Sequence, residues 1–66
     1  MKKGKIIEIY THKGYGFVKE LASGIVLPFN TADLYEPVLQ NEDVVFNMVD
    51  LDPGKLAINL KKIQQQ

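Results

Sequence analysis

Apolar residues along this chain fall into short runs rich in β-branched and aromatic side chains, and the spacing within the runs is that of strands. The first run holds Ile6, Ile7, Ile9 and Tyr10 and closes at the polar Thr11-His12-Lys13. In the second, Gly14-Tyr15-Gly16-Phe17-Val18, period-two alternation puts Tyr15 and Phe17 on one face and Val18, with the two glycines, on the other. Leu21-Ala22-Ser23-Gly24 reads as a turn. Ile25-Val26-Leu27 then begins a third strand, which Pro28 limits to an edge or a bulge because it has no N–H to give a ladder. Asn30-Thr31-Ala32-Asp33-Leu34 predicts a single helical turn capped by Asn30 or Thr31.

Residues 35–43 read as a polar loop containing Pro37, and Val44 to Val49 as the fourth strand. Within that strand Val44, Phe46 and Met48 share one face and Val45, Asn47 and Val49 the other, so Phe46 is either core, the preferred reading, or half-covered surface. Leu51-Asp52-Pro53-Gly54-Lys55 carries proline and glycine where β-turns favour them. Leu56-Ala57-Ile58-Asn59-Leu60, alternating apolar with small or polar residues, is the fifth strand. Five short strands with a break after the third predict an all-β protein, a five-stranded antiparallel Greek-key barrel of the OB type. It occupies residues 1–63 as one domain, with residues 64–66 as a frayed tail.

Length and composition narrow the function. A chain of 66 residues has room for one core, and a domain of that size buries only roughly 60% of the surface its unfolded chain exposes. With no cysteine there is neither a disulfide nor a thiolate metal ligand, and His12 is the single histidine, so no metal site or cofactor is expected. Absence of cysteine fits a reducing compartment, here the cytoplasm. Met1-Lys2-Lys3-Gly4-Lys5 begins like a signal peptide, but Glu8 and Thr11-His12-Lys13 interrupt the apolar stretch that follows, so no export or membrane segment is expected. Catalysis needs a nucleophile and base in one cleft or a metal cluster, and this residue set predicts no enzyme.

Formal net charge is zero, which by itself argues against a polyanionic partner. Its distribution changes the picture. Residues 1–19 carry five lysines against Glu8, residues 20–52 carry seven acids and no base, and residues 53–66 carry three lysines and no acid. Such polarity either orients a nucleic acid along one side of the barrel or is solvated surface charge with no partner.

Lys13-Gly14-Tyr15-Gly16-Phe17-Val18 resembles the first ribonucleoprotein motif of the bacterial cold-shock proteins. The resemblance runs along nearly the whole chain. It takes in Gly4-Lys5-Ile6 at its start, Ala32-Asp33-Leu34 after the third strand, Val45-Phe46 in the fourth, and Leu56-Ala57-Ile58-Asn59-Leu60 as the closing segment. It implies a module that binds single-stranded RNA or DNA with weak sequence preference and acts as an RNA chaperone. The physical basis is general: outward aromatics offer faces on which bases stack, and flanking lysines follow the phosphates. Tyr15 and Phe17 are the expected stacking pair, although their spacing alone also permits them to line the core. Lys13 and then Lys5 are the expected cations, and Gly14 and Gly16 are expected to leave room for a base beside the rings.

Departures from the family pattern weaken the expected binding. Glu8 stands where a tryptophan is usual and Ile7 where a lysine is common; Tyr10, on the same alternation as Glu8, either compensates or is an ordinary edge aromatic. The second ribonucleoprotein motif is represented by Ile25-Val26-Leu27-Pro28-Phe29-Asn30, in two possible registers. Anchored on Ala32-Asp33-Leu34, the preferred choice, Leu27 and Phe29 point inward and Pro28 and Asn30 take the stacking slots. Anchored on the preceding turn, Val26, Pro28 and Phe29 take them. Tyr35 matches the aromatic that some members present in the following loop. The expected interface is therefore Lys5, Tyr10, Lys13, Tyr15, Phe17, Asn30 and Tyr35. The alternative is a structural or protein-interaction barrel, monomeric or weakly homodimeric, whose exposed Ile7, Tyr10, Tyr15 and Phe17 contact protein in place of nucleic acid.

Overall fold

In the computed structural model, which describes residues 1–63, strands β1 (Lys2–Tyr10), β2 (Tyr15–Glu20), β3 (Val26–Asn30), β4 (Asp43–Asp50) and β5 (Lys55–Lys62) close into a barrel in the order β1-β2-β3-β5-β4. The tail expected at residues 64–66 lies outside the described residues. Every ladder is antiparallel except the seam between β3 and β5, which is parallel and rests on the single pair Phe29 and Ala57. Pro28 is tolerated in β3 because β5 is paired with that strand only at Phe29.

The core consists of the inward residues Ile6, Val18, Leu27, Phe29, Val44, Phe46, Ala57 and Leu60, joined by Val38 and flanked by Ile9, Leu34 and Met48. Phe46 and Phe29 are fully buried, which selects the register anchored on Ala32-Asp33-Leu34 and excludes Phe29 from the surface. Val38 corrects the expectation of a purely polar loop, since its side chain helps fill the barrel. That loop is tied to β1 through Ile6, whose N–H donates to the Glu42 carbonyl (3.0 Å) and whose carbonyl accepts from Asn41 N–H (2.7 Å). The helical turn is a 3-10 turn, Thr31–Asp33, with Asn30 at the cap position but making no side-chain capping bond.

Two bulges set which side chains face out. On β1, Ile6 pairs with Val18 and Glu8 with Phe17, so Ile7 is an extra residue on its strand. The parity of β1 reverses there: Gly4 and Ile6 are buried before the bulge, whereas after it Ile9 packs on the core and Glu8 and Tyr10 are exposed. Ile7 itself is half-buried, which removes it from the expected exposed patch. On β5 the register slips between Val45–Lys61 and Asn47–Ile58, and Asn59 adopts φ 55°, a left-handed conformation that asparagine tolerates better than most residues. Strict alternation would put Leu56, Ile58 and Leu60 on one face; instead Ala57 and Leu60 are the buried pair.

Candidate nucleic-acid interface

Strand β2 carries the expected rings outward. Gly16, Val18 and Glu20 face the barrel interior, and Tyr15, Phe17 and Lys19 lie on the opposite side, the rings half-buried and Lys19 exposed. Pairing with β1 and β3 arranges the outer surface in three rows across the strands: Tyr10, Tyr15 and Asn30; Glu8, Phe17 and Pro28; Lys5, Lys19 and Val26. The Tyr10 and Tyr15 ring centroids are 5.3 Å apart, and Phe17 meets Tyr15 edge-to-face at 5.9 Å. Such tilted and T-shaped contacts hold the three rings as one apolar surface. The core reading of Tyr15 and Phe17 is thereby removed.

Gly16 has a different task from the one its place in the motif suggests. A Cβ there would stand 2.6 Å from the Glu8 carbonyl oxygen and 2.6 Å from Cζ of Phe29, so the missing side chain admits the Phe29 ring to the core and leaves no room for a base. Gly14, at φ 82°, serves the β1–β2 turn, where the N–H groups of Lys13 and Gly14 both donate to the Tyr10 carbonyl. This turn brings Lys13 Nζ to 5.8 Å from the Tyr10 ring centroid, a cation–π contact at the edge of the cluster.

The charges that alternate along the sequence neutralise one another in space. Lys2 pairs with Glu20 (3.2 Å), Lys5 with Asp43 (3.4 Å), Lys62 with Glu42 (3.4 Å) and Lys55 with Asp50, so each ion pair joins a basic chain end to the acidic middle. Of the two readings of the charge blocks, a gradient along one side of the barrel is thus replaced by strand-to-strand pairing. Among the described residues Lys3, Lys13, Lys19 and Lys61 make no ion pair, and two of them, Lys13 and Lys19, border the aromatic rows. Lys5 shares the bottom row with Lys19, but its ammonium is engaged by Asp43 in an exposed pair of small strength. Lys19 is the residue that sequence reasoning missed, and its signal was present: it continues the period of Tyr15 and Phe17.

Six of the seven expected residues lie on this surface, and Tyr35 does not. Its N–H donates to the Leu60 carbonyl (3.0 Å), and its hydroxyl donates to Asn59 Oδ1 (3.3 Å). Lys61 Nζ lies 5.9 Å from its ring. Tyr35 thus borders an open depression lined by Met1, Asn47, Asn59 and Lys61, and its ring contacts none of the three clustered rings. At the far end of β2, Glu20 is only 7% exposed. The Ser23 hydroxyl donates to its Oε1 (2.6 Å), and this bond, outweighing the opposing effect of burial and helped by Lys2, holds the carboxyl below its ordinary pKa. No group of three or more His, Asp or Glu side chains suited to a metal occurs among the described residues.

Comparison with known proteins rests on structure. No family model matches the sequence, and no curated protein is significantly similar to it. The solved structure of Drosophila Unr CSD456 superposes with a TM-score of 0.81 at 20% identity, over 96% of this chain. The matched region is 26% of that chain, so this protein spans about a quarter of its length. Together with the strand order and register described above, the superposition identifies the barrel as a cold-shock domain fold.

Proposed function

We propose that the protein is a non-enzymatic module that binds single-stranded RNA or DNA on the outer face of β1, β2 and β3, and that it acts as an RNA chaperone by capturing unpaired strands. The observation that carries this reading is the set of Tyr10, Tyr15 and Phe17 packed against one another outside the core, beside two lysines that no acid neutralises. Bases stack on such rings with little preference of their own, and a lysine at either end of the rows meets the phosphates. Capture of the single strand shifts the pairing equilibrium by mass action. The cold-shock fold of the barrel supports the same reading. Tyr35, on another part of the surface, is left out of the interface.

The test is titration of labelled oligo-dT and oligo-U at low salt. Saturable binding is expected, with Tyr35→Ala within ~2-fold of wild type, since the change removes no stacking partner of the cluster. No saturable binding, or binding indifferent to both Tyr15→Ala and Phe17→Ala, overturns the assignment. A second reading, contact with protein, is favoured by a different observation: Ile25, Val26 and Leu51 are each about half exposed and border one groove with Pro28 and Pro53. Sedimentation over a concentration series tests its homodimeric form, which a monomer at all concentrations removes.

A further inference from the structure

Stacking leaves one group on this face unused. Glu8 is exposed in the middle row directly across from Phe17, the Tyr10 hydroxyl donates to its Oε2, and among the described residues it makes no ion pair. An uncompensated carboxylate beside a stacking surface repels phosphate, so it opposes binding unless a base uses it. It is acceptor-only, with about four lone-pair sites, of which the Tyr10 hydroxyl fills one and in doing so fixes the carboxylate at the border of the rings.

A base lying on Phe17 turns its Watson–Crick edge sideways along the protein surface, where single-stranded bases are commonly read. What that edge offers a carboxylate differs sharply between bases. Guanine presents two neighbouring donors, N1–H and the N2 amino group. Cytosine and adenine present one amino group beside a ring-nitrogen acceptor. Uracil and thymine present a single N3–H between two carbonyl oxygens, and those oxygens meet the carboxylate with repulsion.

We propose that Glu8 makes this face guanine-selective: a base stacked on Phe17 beside Tyr10 donates N1–H and N2–H to the Glu8 carboxylate, so strands containing guanine bind ahead of those containing only uracil or thymine. The inference rests on the reading of this face as a nucleic-acid interface. It adds to sequence-tolerant stacking one position at which the base matters, and it gives a role to the residue that departs furthest from the family pattern.

The experiment compares fluorescein-labelled DNA heptamers of thymidine alone, of thymidine with one central guanine, and of thymidine with one central inosine, against wild type and Glu8→Gln at low salt. One guanine suffices, because the strand settles in the register that seats it. Wild type is expected to bind the guanine heptamer ~10-fold more tightly than all-thymidine, the size of effect typical of a bidentate base contact. Inosine, which keeps N1–H and lacks the amino group, falls between. In Glu8→Gln the guanine advantage shrinks to ~2-fold or less, and the all-thymidine strand binds as well as to wild type or better, because the repelling charge is gone. A wild-type guanine advantage below ~2-fold, or one that Glu8→Gln leaves unchanged, overturns the inference alone. Failure of both proteins to bind any heptamer overturns the interface reading and this inference with it, and failure of Glu8→Gln alone overturns the inference.

Discussion

The two faces of β2 carry different tasks. Its inward residues, Gly16, Val18 and Glu20, are all buried and pack against Phe29, the rest of the core and the Ser23 turn. Its outward residues, Tyr15, Phe17 and Lys19, meet one another and the neighbouring outward side chains of β1 and β3. Within six residues, stability and recognition are divided by parity. In a domain this small no inward position is spare, because the core is a single cluster.

That division is open to direct attack. Gly16→Ala pushes a methyl group against a backbone carbonyl and the Phe29 ring, and a cost of ~1–3 kcal/mol is expected, lowering Tm by roughly 5–20 °C in thermal unfolding while the outward rings stay in place. Phe17→Ala is the mirror case. Loss of one stacking face should weaken oligonucleotide binding by ~1–3 kcal/mol, roughly 5- to 150-fold, with Tm within a few degrees of wild type. If Phe17→Ala instead unfolds the domain, the two faces are not separable. Lys19→Ala should leave Tm unchanged and lower the slope of log K against log salt by ~0.7, the value for one phosphate contact to a single strand.

The smallest effect concerns pH and belongs to the inward face. Because the folded protein holds the Glu20 carboxyl below its ordinary pKa, the stabilisation it supplies is present above the unfolded-state value and is lost as pH falls through the folded one. Glu20→Gln should therefore be less stable than wild type at neutral pH, and the two should converge as pH falls through the carboxylate range. Denaturant unfolding at a series of pH values measures this, and a gap that stays constant on acidification removes the ionic role of Glu20.

Sequence reasoning succeeded where alternation is unbroken and failed where the backbone breaks it. Tyr15 to Val18 could be sorted into faces because β2 has no bulge, and Leu27 and Phe29 could be placed inward once Ala32-Asp33-Leu34 anchored the register. Alternation misassigned β5 because Asn59 inserts an extra residue, a feature that depends on the pairing of Val45 and Asn47 across the ladder. Local pattern cannot reveal that Val38 reaches the core from a loop, or that Tyr35 folds onto Leu60 of β5, since both are long-range placements. Of the two readings of the charge blocks, the gradient along one side fails for the same reason: distance along the chain is not distance in a barrel.

The bulge at Ile7 carries a consequence for inheritance. With that residue deleted and the β1–β2 pairing otherwise kept, Ile6 and Glu8 alternate directly, so Glu8 and Tyr10 still face out and Ile9 still packs inward. Loss of one codon at this position is thus absorbed without changing what the face presents. At the bulge, the letters at positions 8 and 10 specify this face more firmly than the length of the strand does.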